Sequence, residues 1–335
     1  MIKRYIVGVD GGNTKTDYFL YDTDGSFISK LRAGTCSHER MPDSYEGSYR
    51  EMKKEIENLL KPQGLTVEDV EVAVLGLAGL DMPSQKQNLE KVMERIGFKN
   101  FIVDNDGYLG LKAGGRKGIG ICSVNGTGTV TVGIDKEGNR AQIGGIGYIS
   151  GDDGGGAFIA RELFREVYTT LYRGGKETKL IEPVFQLLHI EEKIYYTEAL
   201  AALYRSGFSH TPYISLIFDY AEQGDEVALK IIHKVGRALA KSTAGCIHEL
   251  SFEKEETVEV ILVGSVWVKV KSTLLIDAYK TYMKELTTYS CNYTVLQVPP
   301  AVGAVLWALE IVKGKVVEEP LRSCIMAHTT VFDIN

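Results

Sequence analysis

The sequence predicts an α/β protein of two domains, and three observations carry that expectation. The chain has 335 residues, more than one hydrophobic core usually supports. Apolar strand-like runs alternate with stretches whose apolar residues recur at helical spacing. A unit of strand, Gly/Thr turn and strand also occurs twice, once near the start of each half.

The first half opens on a strand, Tyr5 to Val9, broken by the turn residues Asp10-Gly11-Gly12-Asn13. Asp17 to Tyr21 alternates again, and after the turn at Asp22-Thr23-Asp24-Gly25 a third strand is expected over Ser26 to Leu31. Ser44 to Leu60 reads as a helix, Val70 to Leu77 as a buried strand and Gln85 to Ile96 as a helix. Phe101 to Val103 is a short strand ending in Asp104-Asn105-Asp106. Past the glycines at 114 and 115 the pattern restarts. Gly118 to Ser123 and Thr129 to Ile134 are strands on either side of Asn125-Gly126-Thr127-Gly128, which places the boundary near residue 116, with domains 1–116 and 117–335. A mostly helical stretch is expected from Gly156 to about Leu250, then a strand over Val258 to Val263 and a helix over Ala301 to Val312.

Composition narrows the function. The net charge of −6 disfavours a general nucleic-acid binder, which needs excess Lys and Arg to displace counterions. No stretch approaches the roughly 18–20 apolar residues that span a bilayer. Asp10 and its two glycines interrupt the N-terminal apolar run too early for a signal peptide. Cys36, Cys122, Cys246, Cys291 and Cys324 are odd in number, far apart and without a CxxC pair, which reads as reduced cytosolic thiols. The 36 glycines are clustered, as backbone held close to a ligand requires.

In GVDGGNTKTD a strand delivers Asp10 to a cleft edge, the glycines open backbone N–H groups to an anion, and Thr14 and Thr16 add hydroxyls. A carboxylate beside a phosphate cradle needs a cation between them, so Asp10 suggests Mg²⁺ held through water. A plain Asp-Gly-Gly hairpin is the simpler account of the same residues. The second loop, Ser123 to Thr129, is again rich in N–H and O–H donors and free of carboxylates, so the pair resembles a clamp on a polyphosphate. Neither loop has GxGxxG or P-loop spacing. Gly264-Ser265 ends a strand where a flat base could approach. Asp104 and Asp106 stand at a strand's C-terminal edge, where one could accept a proton from a substrate hydroxyl, or both could cap the next helix. Residues 144–156 hold seven glycines with Ile146, Tyr148 and Ile149 among them, an ordered loop rather than a linker, with Asp152 and Asp153 available to sugar hydroxyls. The histidines form no metal-ligand pair.

In this order the motifs resemble the superfamily of sugar kinases, actin and heat-shock chaperone ATPases, and more narrowly the N-acetylglucosamine kinase branch, the BadF/BadG/BcrA/BcrD ATPase family. The resemblance runs from GVDGGNTKTD to PPAVGAVLWAL and rests most on the first loop, NGTGT, and LVGSVW with its following Pro-Pro-Ala-Val-Gly-Ala. It implies the two-lobed actin-like (ribonuclease H-like) fold, with ATP, Mg²⁺ and a sugar in the cleft between lobes. It implies phosphate contacts from Gly11, Gly12, Asn13, Thr14, Lys15, Gly126, Thr127 and Gly128, and Asp106 as catalytic base. It puts Gly224, Gly264 and Ser265 at the adenosine end, and Ser37, His38, Gly145, Ile146, Gly147 and Asp152 at the sugar. A cytoplasmic homodimer without nucleic-acid or membrane partners is expected.

The departures from the family pattern cluster on the sugar side. The family tryptophan is Ile146, GDEGS reads Gly151-Asp152-Asp153-Gly154-Gly155, and the sugar-contacting Asn-His reads Ser37-His38. Two alternatives remain: an ATPase that activates a radical dehydratase through a cysteine-held iron–sulfur cluster, and a non-catalytic sugar sensor. The first is disfavoured by dispersed cysteines, the second by the lack of a helix-turn-helix extension.

Overall fold

A computed structural model of the chain describes residues 4–330; the first residues of the N-terminal segment lie outside that range. Two five-stranded sheets repeat one design. In the first, β1 (Tyr5–Gly11), β2 (Lys15–Asp22) and β3 (Phe27–Gly34) form an antiparallel meander, and β4 (Val70–Leu77) and β5 (Phe101–Asn105) add in parallel on the far side of β1, giving the order β3-β2-β1-β4-β5. The second has β6 (Gly120–Asn125), β7 (Thr129–Ile134) and β8 (Arg140–Gly144) antiparallel, with β9 (Val258–Val263) and β10 (Cys291–Val295) parallel to β6, in the order β10-β9-β6-β7-β8. The repeated sequence unit is therefore the leading hairpin of each sheet.

β1 and β4 read as continuous apolar runs because both faces of the sheet are covered. Ile6, Val72 and Val74 join a core between the sheets, while Val7, Val9, Ala73 and Leu75 join an outer core under α1 (Tyr45–Leu60) and α2 (Pro83–Ile96). Successive residues thus serve opposite layers, as the strand period requires. The inter-sheet layer is filled by α3 (Gly107–Gly114). The outer face of the second sheet carries α4 (Gly156–Tyr172), α5 (Ile181–Leu188), α6 (Tyr196–Ser206), α7 (Thr211–Glu222), α8 (Glu226–His248), the short α9 (Ser265–Lys269) and α10 (Leu274–Leu286). α11 (Ala301–Lys313) returns to the inter-sheet layer beside α3, and α12 (Leu321–Thr330) packs on α11.

α11 is apolar all round over its first nine residues because these are buried: Ala301 to Leu309 all lie in the core. It approaches β1 and α3 at glycines. A Cβ on Gly303 would stand 1.9 Å from the Leu109 carbonyl oxygen of α3, and one on Gly8 would stand 3.0 Å from the Val305 backbone nitrogen. We expect Gly303→Val to lower the stability of the whole chain by about 3 kcal/mol, the upper end for overpacked cores, because backbone rather than a side chain must give way. Urea denaturation checks this, and an unchanged midpoint would mean that the two helices do not depend on this crossing.

Candidate functional site

The C-terminal ends of β1, β4 and β5 face the second sheet's leading hairpin across a cleft of about 330 Å³. Gly12 and Asn13 from the first loop, Gly126, Thr127 and Gly128 from the second, and Asp106 all line it. So do Gly145, Gly147 and Asp152 from the glycine-rich loop, and Asp81, which the sequence reading does not single out.

The first loop is a hairpin tip and a cleft wall at once. The Gly12 amide donates to the Lys15 carbonyl at 2.9 Å, leaving Asn13 and Thr14 as the turn. The Ala78 amide donates to the Gly11 carbonyl and the Thr35 hydroxyl to the Gly12 carbonyl, each at 2.8 Å, so the tip is tied to its neighbours. Thr14 and Lys15 do not line the cavity, and Lys15 pairs with Asp17 at 3.2 Å. Thr16 corrects an expectation. It is fully buried and its hydroxyl accepts from the Cys36 amide at 3.1 Å, so it offers the cleft no donor.

The second loop is shaped by the start of α4. The amides of Gly156 and Ala157 donate to the carbonyls of Gly126 and Thr127 at 2.8 and 3.1 Å. A Cβ on Gly155 would lie 2.5 Å from the Thr127 carbonyl oxygen. The glycines before α4 therefore let a helix end sit on the loop. At Gly126 and Gly128 an added Cβ would meet nothing within 4 Å, which leaves their side of the loop open. Gly264 adopts φ +108° with its backbone against Asn125, and Ser265 lies on the wall of a second cavity of about 540 Å³ between α7 and α9. Gly224 does not line that cavity; it makes the left-handed turn before α8, which Asp225 caps through Val227 and Ala228.

The two strand-end carboxylates separate cleanly. Asp104 is buried and bridges Lys86, at 3.0 Å, and Arg140, so it is an ion-pair residue and no rival for the base. Neither it nor Asp106 caps α3. Asn105 does so, its Oδ1 accepting from the Gly107 amide at 2.9 Å, and the capping expectation is corrected accordingly. Asp106 is left to the cleft, where burial raises its pKa from 3.8 to about 6. Asp10 is raised to about 7, first by burial and then by the charges of Asp106 and Asp17, with Lys15 pulling the other way.

On the acceptor side, Asp152 holds its own loop. Its Oδ2 accepts from the Gly147 amide at 2.6 Å and the Ser150 hydroxyl at 2.9 Å. Asp153 is half-buried and outside the wall, and Ile146 is 64% exposed. Ser37 and His38 are not brought to the wall. Both are buried, His38 stacks on Tyr45 with ring centroids 4.7 Å apart, and among the described residues neither the Ser37 hydroxyl nor His38 Nε2 has a hydrogen-bond partner. Asp81 had a legible signal: like Asp10 within the end of β1 and Asp106 just after β5, it lies at the C-terminal end of a parallel strand of the first sheet, in Ala78-Gly79-Leu80-Asp81 after β4. Burial, then the charges of Asp106 and Glu39, raise it to about 7.

Residues 7–308 match the BadF/BadG/BcrA/BcrD ATPase family. An N-acetylmuramic acid/N-acetylglucosamine kinase of Clostridium acetobutylicum is 26% identical over 76% of this chain and 83% of its own. An N-acetyl-D-glucosamine kinase of Dictyostelium discoideum is 27% identical over 79% of this chain and 86% of its own. A solved structure from Chromobacterium violaceum, assigned as an N-acetylglucosamine kinase, superposes with a TM-score of 0.62 at 21% identity, covering 91% of this chain and 99% of that one. That likeness shows a shared fold.

Proposed function

The chain belongs to the BadF/BadG/BcrA/BcrD ATPase family, and on that premise we propose that it is an ATP-dependent kinase that phosphorylates a hydroxyl of an amino sugar or related hexose. One observation carries the reading most directly. A carboxylate raised to about 6, Asp106, faces two donor-rich Gly/Thr loops across one cleft. A carboxylate near that value is ionised at neutral pH yet basic enough to take a proton from an alcohol as it becomes a nucleophile.

In this mechanism Asp106 orients the acceptor hydroxyl and removes its proton. The loop at Gly11 to Lys15 and the loop at Gly126 to Gly128 hold the phosphates by backbone amides and hydroxyls, stabilising charge on the transferring group. Gly224, Gly264 and Ser265 serve the adenosine end, where the cavity at Ser265 has room for a base. Gly145, Ile146, Gly147 and Asp152 serve the acceptor, and Ser37 and His38, which stand off the cleft wall, belong to the same proposal. The donor set fits Mg²⁺ at Asp10, a carboxylate whose pKa is pushed up by burial and like charge and would fall beside a cation. Among the described residues no three His, Cys, Asp or Glu side chains converge on a metal position, so phosphate oxygens and water would complete its shell. When bound, the ion would supply positive charge that offsets the charge of the phosphates.

The proposed lobe boundary lies near residue 116, between α3 and β6. A cytoplasmic homodimer is part of the same proposal. The iron–sulfur activator reading would need cysteines gathered at a surface. Here Cys36, Cys122 and Cys246 are buried, Cys122 in the inter-sheet core and Cys246 in the core of the second sheet's outer face. An ADP-release screen over N-acetyl sugars, amino sugars, plain hexoses and polyols tests the kinase reading; no ADP release above background with any of them would refute it.

The acceptor pocket is expected not to be tuned tightly to the 2-acetamido group. Ile146 offers less flat apolar area than the family tryptophan, and Ser37 is too short to replace both contacts of an asparagine amide. A buried amide group left unpaired costs about 1–3 kcal/mol, or ten- to a hundredfold in kcat/KM. We expect kcat/KM for N-acetylglucosamine to exceed that for glucosamine or glucose by less than about a thousandfold. A larger preference would overturn the expectation.

A further inference from the structure

Asp81 lines the cleft but has no part in the mechanism proposed above. Its Oδ1 accepts from the side-chain amides of Asn105 and Gln142, each at 2.9 Å. The two donors come from opposite sheets. Asn105 ends β5 beside Asp106, and Gln142 sits in β8, three residues before Gly145. Gly145 approaches so closely that a Cβ there would stand 2.2 Å from Asp81 Oδ1, and its φ of +94° favours glycine as well. The Asp81 segment is itself held down, since the amides of Asp81 and Met82 both donate to Gln85 Oε1 at 2.8 Å, and Gln85 is buried.

One oxygen of Asp81 is thus fixed by two donors, and among the described residues no hydrogen bond engages the other. The charges that act most on this carboxylate are those of Asp106, Glu39 and Asp152, all acidic, and among the described residues no Lys, Arg or His lines the cleft. That second oxygen is not buried, so it opens to the cleft, where a donor on a ligand can take the place of water.

We propose that Asp81 is an acceptor-binding residue: Oδ1 is the junction that holds Asn105 and Gln142 together, and Oδ2 accepts a hydrogen bond from a hydroxyl or amino group of the sugar. This rests on the kinase reading. Above pH 7 the ionised form dominates and only accepts, so assayed at about pH 8 the pocket selects acceptors that present an O–H or N–H at that position. Because two amides already fix its orientation, little rotamer freedom is lost when the sugar binds. The same junction ties the β5 end that carries Asp106 to the loop that carries Gly145, so base and acceptor loop move as one.

Two variants separate the two roles. Asp81→Asn keeps an oxygen for Asn105 and Gln142 but puts an NH₂ donor where Oδ2 stood. With ATP as donor and glucosamine or N-acetylglucosamine as acceptor, Asp81→Asn should raise the acceptor KM about tenfold or more, the loss expected for one polar contact. Its kcat should stay within about threefold of wild type, because the interaction lost is made equally in the ground and transition states. Its ATP KM should not change, and its melting temperature should be at or above that of wild type, since ionising this carboxylate disfavours the fold. Asp81→Ala, which also opens the junction, should lower kcat as well. If Asp81→Asn matches wild type in acceptor KM while Asp81→Ala is impaired, the residue is structural and the proposal is wrong. A parallel rise in acceptor and ATP KM overturns it too. A wild-type protein that neither phosphorylates these sugars nor binds them by calorimetry would instead sink the kinase reading, and this proposal with it.

Discussion

Asp106→Asn is expected to lower kcat by about 10²-fold or more while leaving ATP binding in place, in line with the loss of a general base. Asparagine keeps the shape of the side chain and the Asn105 cap on α3, so the fold at this point has no reason to change. Only the capacity to take a proton is lost. The pH profile gives a second readout. Burial raises the group from 3.8 to about 6, and the protonated form cannot act as base, so wild-type kcat at saturating acceptor should fall as pH drops through about 6. The variant's residual activity should lack that limb. Near-wild-type turnover would move the base elsewhere. Asp104 is then no candidate, because Lys86 and Arg140 occupy it, and Asp152 or Asp81 would be the next to examine.

The contrast between Asp104 and Asp106 shows where the sequence stops being legible. Two carboxylates one residue apart at a strand end carry the same local signal. What separates them is long-range: Arg140 arrives from β8 and Lys86 from α2, while the cap falls to Asn105 between them. Thr16 is the same lesson. Its place in the motif resembles that of Thr14, but it is two residues beyond the turn, inside β2, and its side chain is buried. The hairpins, by contrast, were readable because their apolar runs end in strong turn chemistry, and β4, β7 and β9 lie where the apolar runs put them. β8 and β10 were not. Both are five-residue edge strands without an apolar run; they do alternate, Ala141 and Ile143 against Arg140 and Gln142 in β8 and Cys291, Tyr293 and Val295 against Asn292 and Thr294 in β10, but over stretches too short to stand out. α10 goes unassigned although Leu275, Ala278, Tyr279 and Met283 do stand at helical spacing.

Asp10→Ala is expected to bring Mg²⁺-dependent turnover to background while sugar binding stays measurable by calorimetry. The argument begins with the cost of the carboxylate where it stands. Asp10 sits at the end of β1 with Asp106 and Asp17 nearby, and Lys15 offsets them only in part. Its pKa in the fold, about 7, lies above its ordinary 3.8, so ionising it disfavours the folded state. The sign follows: this group costs stability progressively as pH rises from about 4 to about 7, and the cost is complete above that. A site that keeps such a carboxylate makes sense if a cation arrives with the nucleotide and supplies the missing charge. Three results should then appear together. Without Mg²⁺ at pH 8, Asp10→Ala should melt at or above the wild-type temperature, since an unfavourable charge is gone. Adding Mg²⁺ with ADP should raise the wild-type melting temperature and raise that of the variant less, because ligand stabilisation follows affinity for the native state. Turnover should fall by about 10³-fold or more, the scale of several kcal/mol of metal-assisted charge stabilisation. A collapsed melting temperature would instead make Asp10 a structural hairpin residue, and equal Mg²⁺ stabilisation of variant and wild type would place the ion on other groups.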